Sequence, residues 1–308
     1  MSMNSKNKIL IYGGGGIGSY YAGALNKNGH NITLLTRGNH FDEIKKNGLK
    51  LKTNWGNYTQ EINLVKKIDT NYDVVILAVK TYSVKSILSD LKSLKKSSKI
   101  ICIQNGTFTY NYLSKNLMVH GINVIDGLTW IDALRKNEGS VIQTGNEAKI
   151  IFGKNNISEL EQSELNKLAS TLNSKNVQTE YVKDISKAVW EKLIMVAAIG
   201  SIMCFSNMSA KETVENKTFF NILKEMIIEM TNASISIGVD IEKNYAENTI
   251  DYIVGRSHEL HSSLKEDFDN KRPLEVDEIL GEALRTGLKS EVNMPNCQKV
   301  YDKLIKFS

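Results

Sequence analysis

The stretch KILIYGGGGIGSYYAGALNKNG, residues 8–29, constrains this chain more than any other. Five β-prone residues, Lys8–Tyr12, run straight into four glycines, Gly13–Gly16, and then into a helical pattern reaching about Asn28. Glycine loses more backbone freedom on folding than any other residue, so such a run weakens structure unless something requires bare backbone there. Gly13, Gly15 and Gly18 fit the spacing G-x-G-x-x-G directly after a strand and at the opening of a helix. That arrangement supplies a tight turn, close backbone approach to a pyrophosphate and close helix–sheet packing. The free N–H groups of the following helix add an anion-binding end. A phosphate-binding P-loop is excluded, because Gly18 is followed by Ser19-Tyr20 rather than by Lys and a hydroxyl residue. Gly13, Gly15, Gly16, Ile17 and Gly18 are therefore the expected cradle of a dinucleotide.

The end of the second strand, NITLLTR at 31–37, chooses between cofactors. An NAD site places an acidic residue there for the ribose 2′-hydroxyl. This chain has Arg37, which can pair with a 2′-phosphate, and Thr36 beside it as a helper. NADP(H) is the expected cofactor. DVVILAVK (73–80) and SKIICIQNG (98–106) read as two further strands. They leave Lys80 and Asn105-Gly106 past their carboxyl ends, where open α/β sheets bind ligands. Apolar strands separated by helical segments predict a parallel, doubly wound Rossmann-type sheet. TYSVKSILSDLKSL reads as one helix, and INVIDGLTW, SVIQTG, AKIIFG and VQTEYV as later strands.

From Asp184 the pattern turns helical, as in KAVWEKLIMVAAIGSI, FFNILKEMIIEMTNASISIG and LEVDEILGEALRTGLKS. The expected organisation is an NADP-binding domain over 1–183 and an all-helical substrate domain over 184–308. A chain of 308 residues with 41% hydrophobic content can bury such cores. The net charge of +5 is spread among interspersed Lys and Glu, which argues for a solvated surface over a nucleic-acid footprint. Cys102, Cys204 and Cys297 are far apart and form no C-x-x-C pair, which argues against a disulfide framework or a metal site and suits a cytoplasmic protein. LIMVAAIGSIMCF, 193–205, reads as too short to span a bilayer.

Two charged residues stand against apolar backgrounds. Lys192 lies in AVWEKLIMVAAIGSI, with Val196, Ile199 and Gly200 on its face, where a buried ammonium is costly unless paired. Snorkelling to solvent beside Glu191 is the alternative. Glu275 in KRPLEVDEILGEAL borders a stripe of Val276, Ile279, Leu280, Ala283 and Leu284, with Asp277, Glu278, Glu282 and Arg285 on the solvated side. Ordinary helix N-terminal charge would also explain Glu275. Ser263 sits near a helix end, and His258 and His261 read as surface residues.

With these residues in view, the chain resembles the ketopantoate reductase (2-dehydropantoate 2-reductase) family over nearly its whole length. The resemblance is carried by GGGGIG, LLTR, DVVILAVKTYSV, QNG, the W-x-K of VWEKL and SSLKEDFDNKRPLEVDEILG. It implies a Rossmann domain followed by a helical domain, and NADPH-dependent reduction of ketopantoate to (R)-pantoate in pantothenate and coenzyme A biosynthesis. By resemblance, Lys192 is the catalytic proton donor to the substrate keto oxygen, and Glu275 holds the substrate hydroxyl and orients the lysine. Asn105 lies between nicotinamide and substrate, Ser263 binds the substrate carboxylate, and Arg37 and Lys80 contact cofactor phosphate and ribose. Relatives carry asparagines four and eight residues beyond the lysine, where this chain has Val196 and Gly200; Asn207 matches only loosely. A different, more apolar 2-keto acid is thus an alternative substrate, and a non-catalytic NADP-binding sensor a further alternative. A small-molecule substrate, no nucleic acid or membrane partner, and a monomer or homodimer are expected.

Overall fold

The computed structural model describes residues 7–308 and divides into two compact units. One holds the chain up to Gln104 together with Thr109–Ile185; the other holds Asn105–Phe108 and Ser186–Ser308.

Among the described residues the first unit is built on ten strands: β1 (Lys8–Tyr12), β2 (Asn31–Leu35), β3 (Leu49–Thr53), β4 (Gly56–Gln60), β5 (Asn63–Val65), β6 (Val74–Leu77), β7 (Lys99–Cys102), β8 (Asn123–Asn137), β9 (Ser140–Gly153) and β10 (Gln178–Tyr181). Their order is β4-β3-β9-β8-β7-β6-β1-β2-β5, with β10 pairing on β9. β1, β2, β5, β6, β7 and the start of β8 run parallel. β8 and β9 form a long antiparallel hairpin that joins this sheet to β3 and β10. β1 and β6 are apolar at nearly every position because both faces of the parallel sheet are covered, the condition that favours continuous apolar runs over alternation.

The chain steps from β1 to β2 on one side and later to β6 on the other, so β1 ends at a topological switch point. Tyr12 is level with both Leu35 and Leu77 in the register, which brings three strand ends to one rim. Helices α1 (Gly16–Lys27), α2 (Gly38–Asn47), α3 (Leu88–Lys92), α4 (Phe108–Leu117) and α5 (Glu159–Leu172) complete the alternation. The expected helix over TYSVKSILSDLKSL is instead two 3-10 turns, Thr81–Ser83 and Lys85–Ile87, followed by the short α3. Ser86 and Ser93 donate to the carbonyls of Ser83 and Asp90, local bonds that compete with a continuous helix. SVIQTG and AKIIFG are one strand, β9.

The second unit is helical: α6 (Ile185–Ser206), α7 (Ala210–Glu215), α8 (Lys217–Ser236), α9 (Tyr245–Arg256), α10 (Ser263–Asp269), a π-helical turn at Asp277–Gly281, α11 (Glu282–Lys289) and α12 (Pro295–Leu304). α6 has 22 residues, so the expectation that its apolar stretch falls short of a bilayer is corrected: by length and composition it is long enough. Most of that stretch is buried within the protein, with Leu193, Ile194, Ala197, Ala198 and Ile202 in a core shared with α8 residues Leu223, Met226 and Met230.

Candidate nucleotide and catalytic sites

In the first unit the glycine loop is shaped by contacts that leave no room for side chains. Gly13 has φ +119°, and a Cβ there would lie 2.8 Å from the Ala78 carbonyl oxygen. A Cβ on Gly18 would sit 1.9 Å from the Gly13 oxygen, so only glycine lets α1 start this close to the turn. Gly14 and Gly16 are equally confined, against the Thr36 hydroxyl and the Ala133 carbonyl, each at 2.2 Å. Gly15 alone faces open space. It is the N-cap of α1, makes no side-chain cap bond, and no acidic residue stands in the first turn. The N-terminal N–H groups of α1 thus open toward solvent past bare backbone, which fits a pyrophosphate.

Beneath the loop, the buried His40 ring bonds Ser19 Oγ through Nε2 at 3.0 Å, and its Nδ1 accepts the Gly139 N–H at 2.9 Å. The accepting Nδ1 fixes a neutral ring with its proton on Nε2, and burial lowers the His40 pKa. Glu138 at 3.3 Å is therefore a neighbour of a neutral ring rather than half of an ion pair. Thr36 is buried under Gly14, so it shapes the loop. Arg37 is exposed at the rim; its Nε donates to the Lys66 carbonyl at 2.9 Å and an Nη to Asp90 at 3.2 Å. Lys80 is half-buried at the head of the first 3-10 turn, and Ile17 half-buried in α1.

In the second unit three segments distant in sequence meet. Gly106 is buried with φ +82°, and a Cβ on it would stand 3.4 Å from the Glu278 carbonyl oxygen, 3.5 Å from Leu193 Cδ1 and 3.8 Å from Ile279 Cα. The Asn105-Gly106 turn is thereby packed between α6, beside Lys192, and the π-helical turn that follows Glu275. Lys192 and Glu275 are each only 8% exposed, so neither snorkels to solvent. The Glu275 carbonyl accepts from Ile279 N, and Leu274 N donates to the Phe307 carbonyl, which fixes the entry to the turn.

Arg285 holds the turn from below, donating to the carboxylate and carbonyl of Asp277, while Tyr301 donates to the same carboxylate at 2.7 Å. π turns insert one extra residue into a helix and recur at functional sites. Glu278, expected on the solvated side, is instead buried within this turn, three residues from buried Glu275 and so near it on the helix surface.

Asn105 is half-buried; Ser263, the first residue of α10, is exposed, as are His258 and His261. The inward serine is its neighbour Ser262, which caps α10 and would lie 2.7 Å from a Cβ on Gly200. Val196, between Lys192 and Gly200 on the same face of α6, is half-buried. Asn207 ends α6 at φ +56° and accepts from Lys265 Nζ at 3.3 Å, a helix-terminal role. All three cysteines are free and buried.

The family model described as ketopantoate reductase PanE/ApbA matches residues 9–156, and its C-terminal companion matches 184–307. The chain belongs to the ketopantoate reductase family. Its relatives are distant. An uncharacterized oxidoreductase, YkpB, of Bacillus subtilis (strain 168) is 25% identical over 299 residues, covering 96% of this chain and 97% of that protein. The 2-dehydropantoate 2-reductase of Pyrococcus horikoshii is 26% identical over 283 residues, covering 90% and 89%.

Among solved structures, a 2-dehydropantoate 2-reductase from Geobacter metallireducens GS-15 aligns with TM-score 0.87 at 20% identity, covering 97% and 99%. D-mandelate dehydrogenase in a ternary structure with NADH and anilino(oxo)acetate aligns with TM-score 0.84 at 20% identity, covering 97% of each chain. These likenesses establish the fold. The ketopantoate reductase family consists of oxidoreductases that bind a nicotinamide dinucleotide and act on small molecules.

Proposed function

We propose that the protein is a cytoplasmic NADPH-dependent 2-keto acid reductase whose leading substrate is 2-dehydropantoate, serving pantothenate synthesis. The observation that carries this reading is the packing of the Asn105-Gly106 turn between the Lys192 segment of α6 and the π turn after Glu275. Lys192 and Glu275, each nearly excluded from solvent, belong to the two segments that flank this turn through Leu193, Glu278 and Ile279.

Gly13–Gly18 and Arg37 would hold the dinucleotide, which would supply the hydride that reduces the keto carbon. The protein supplies the proton and the geometry. Lys192 Nζ donates a hydrogen bond to the keto oxygen and passes its proton there as the oxygen gains negative charge. Glu275 accepts from a substrate hydroxyl and orients the ammonium. Asn105 offers an amide to substrate and nicotinamide, and the Ser263 hydroxyl donates to the substrate carboxylate, with Lys80 on cofactor ribose and phosphate.

A second reading, a more apolar 2-keto acid, is favoured by one observation. Gly200 lets the Ser262 hydroxyl approach to 2.7 Å of where a Cβ would stand, so a side chain at 200 would require that hydroxyl to shift, and Val196 offers only methyl groups. Sites that bond a substrate hydroxyl reject analogues lacking it far better than apolar sites do.

The test is NADPH oxidation with 2-dehydropantoate beside branched, unbranched and aromatic 2-keto acids. Highest kcat/KM with 2-dehydropantoate supports the leading substrate; a much higher value with another acid replaces it. Absence of turnover with every acid, while NADPH still binds, would leave an NADP-binding sensor.

A further inference from the structure

Arg37 does not stand alone at the rim of the sheet. Its guanidinium shares the Asp90 Oδ2 atom with Tyr12, whose hydroxyl donates to it at 2.7 Å. Tyr12 is the last residue of β1, immediately before the glycine loop, and is itself buried. Burial, reinforced by the Asp90 carboxylate, raises the Tyr12 pKa, so its hydroxyl remains a proton donor to Asp90. The carboxylate is thus anchored to a strand end rather than free to swing away. Side-chain exposure is 58% for Arg37 and 35% for Asp90, so both can be reached by a ligand.

A guanidinium has five N–H donors. One goes to the Lys66 carbonyl and one to Asp90, and the guanidinium also bonds the Tyr12 hydroxyl, which still leaves N–H donors for a ligand. A 2′-phosphate seated on those donors brings nearly two negative charges close to a fixed carboxylate. The 2′-hydroxyl of NAD(H) meets no such opposition and can donate to that carboxylate, the role an acid at the end of β2 plays in NAD sites.

We propose that Asp90 is a cofactor-specificity residue: it positions Arg37 and offsets its charge, so that the preference for NADP(H) over NAD(H) is weaker than a lone arginine would give. The inference rests on the reading of Arg37 as the 2′-phosphate contact.

The experiment measures dissociation constants of NADPH and NADH by fluorescence titration, without substrate, for the wild type and for Arg37→Ala, Asp90→Asn and Asp90→Glu. The two cofactors differ only in the 2′-phosphate, so a general loss of structure does not change their ratio in a directed way. Asp90→Asn should raise the ratio Kd(NADH)/Kd(NADPH) by about 5-fold or more at low ionic strength, and less at high salt. Asp90→Glu, which keeps the charge, should hold the ratio within about 2-fold of wild type, and Arg37→Ala should lower it about 10-fold. If Arg37→Ala lowers the ratio but Asp90→Asn leaves it unchanged or lowers it, the role of Asp90 is overturned and that of Arg37 stands. If Arg37→Ala leaves the ratio unchanged, the NADPH reading falls and the inference falls with it.

Discussion

A side chain at Gly106 would have to adopt φ +82°, a conformation glycine holds at little cost and most residues do not. Gly106 is buried against Leu193, Glu278 and Ile279, which explains why the dipeptide Asn105-Gly106 is legible as more than a surface turn. Lys192 was legible for a related reason: an ammonium in an apolar helix conflicts with its surroundings, and its burial resolves the choice between snorkelling and enclosure. Ser262 and Asp90 were not legible, because nothing in their immediate sequence distinguishes them from a cap and a surface acid. Their roles arise only when Gly200 and Arg37, far away in sequence, come to rest against them. For Lys192 the expectation is sharp. Lys192→Ala should lower kcat by about 100-fold or more, the range of acid–base contributions, while the NADPH dissociation constant stays within about 2-fold. Steady-state kinetics and cofactor titration on one preparation check both; a near-normal kcat removes Lys192 from the chemistry.

At the scale of elements, strands buried on both faces announced themselves as apolar runs, whereas β3 alternates Leu and Lys and β4 carries polar residues throughout. Those two pair at the far end of the sheet, where one face is wet, so no continuous apolar signal marks them. α12 shows a different kind of invisibility. Its N-cap is Met294, which has no acceptor to offer, and Pro295 opens the helix. The missing cap comes from α8: Glu229, buried, accepts from Asn296 N at 2.9 Å, Asn296 Nδ2 at 2.8 Å and Cys297 N at 2.8 Å. Glu229→Ala would strand the buried Cys297 N–H and the half-buried Asn296 N–H and should cost about 2–4 kcal/mol of stability. Glu229→Gln, retaining one carbonyl oxygen, should cost roughly half as much. Urea unfolding followed by helical circular dichroism measures the difference, and a loss under ~0.5 kcal/mol for the alanine variant would show that water replaces the cap.

For the molecule as a whole, the first unit holds two buried titratable groups that pull its stability in opposite directions. Burial lowers the His40 pKa, and burial raises that of Asp126, on β8, to about 7 against the weaker opposing bond from Gly127 N. In the unfolded chain these groups titrate near ~6.5 and ~3.9. His40 therefore contributes stability that is complete above pH ~6.5 and is lost as pH falls through its depressed folded value. Asp126 stays protonated when folded but ionises when unfolded, so stability falls as pH rises from about 4 to about 7, by on the order of 3 kcal/mol. Between the depressed folded value of His40 and ~6.5 the unfolded state holds one proton on the histidine and the folded state one on the aspartate, so the two slopes oppose each other. Each substitution should expose the other. Asp126→Asn should be more stable than wild type at pH 7 and should lose stability on acidification below ~6.5, while His40→Gln should lose stability as pH rises from ~4 to ~7. Unfolding free energies at half-unit pH steps test this directly: variants that run parallel to wild type across the window would mean that neither group titrates in the folded protein as its burial requires.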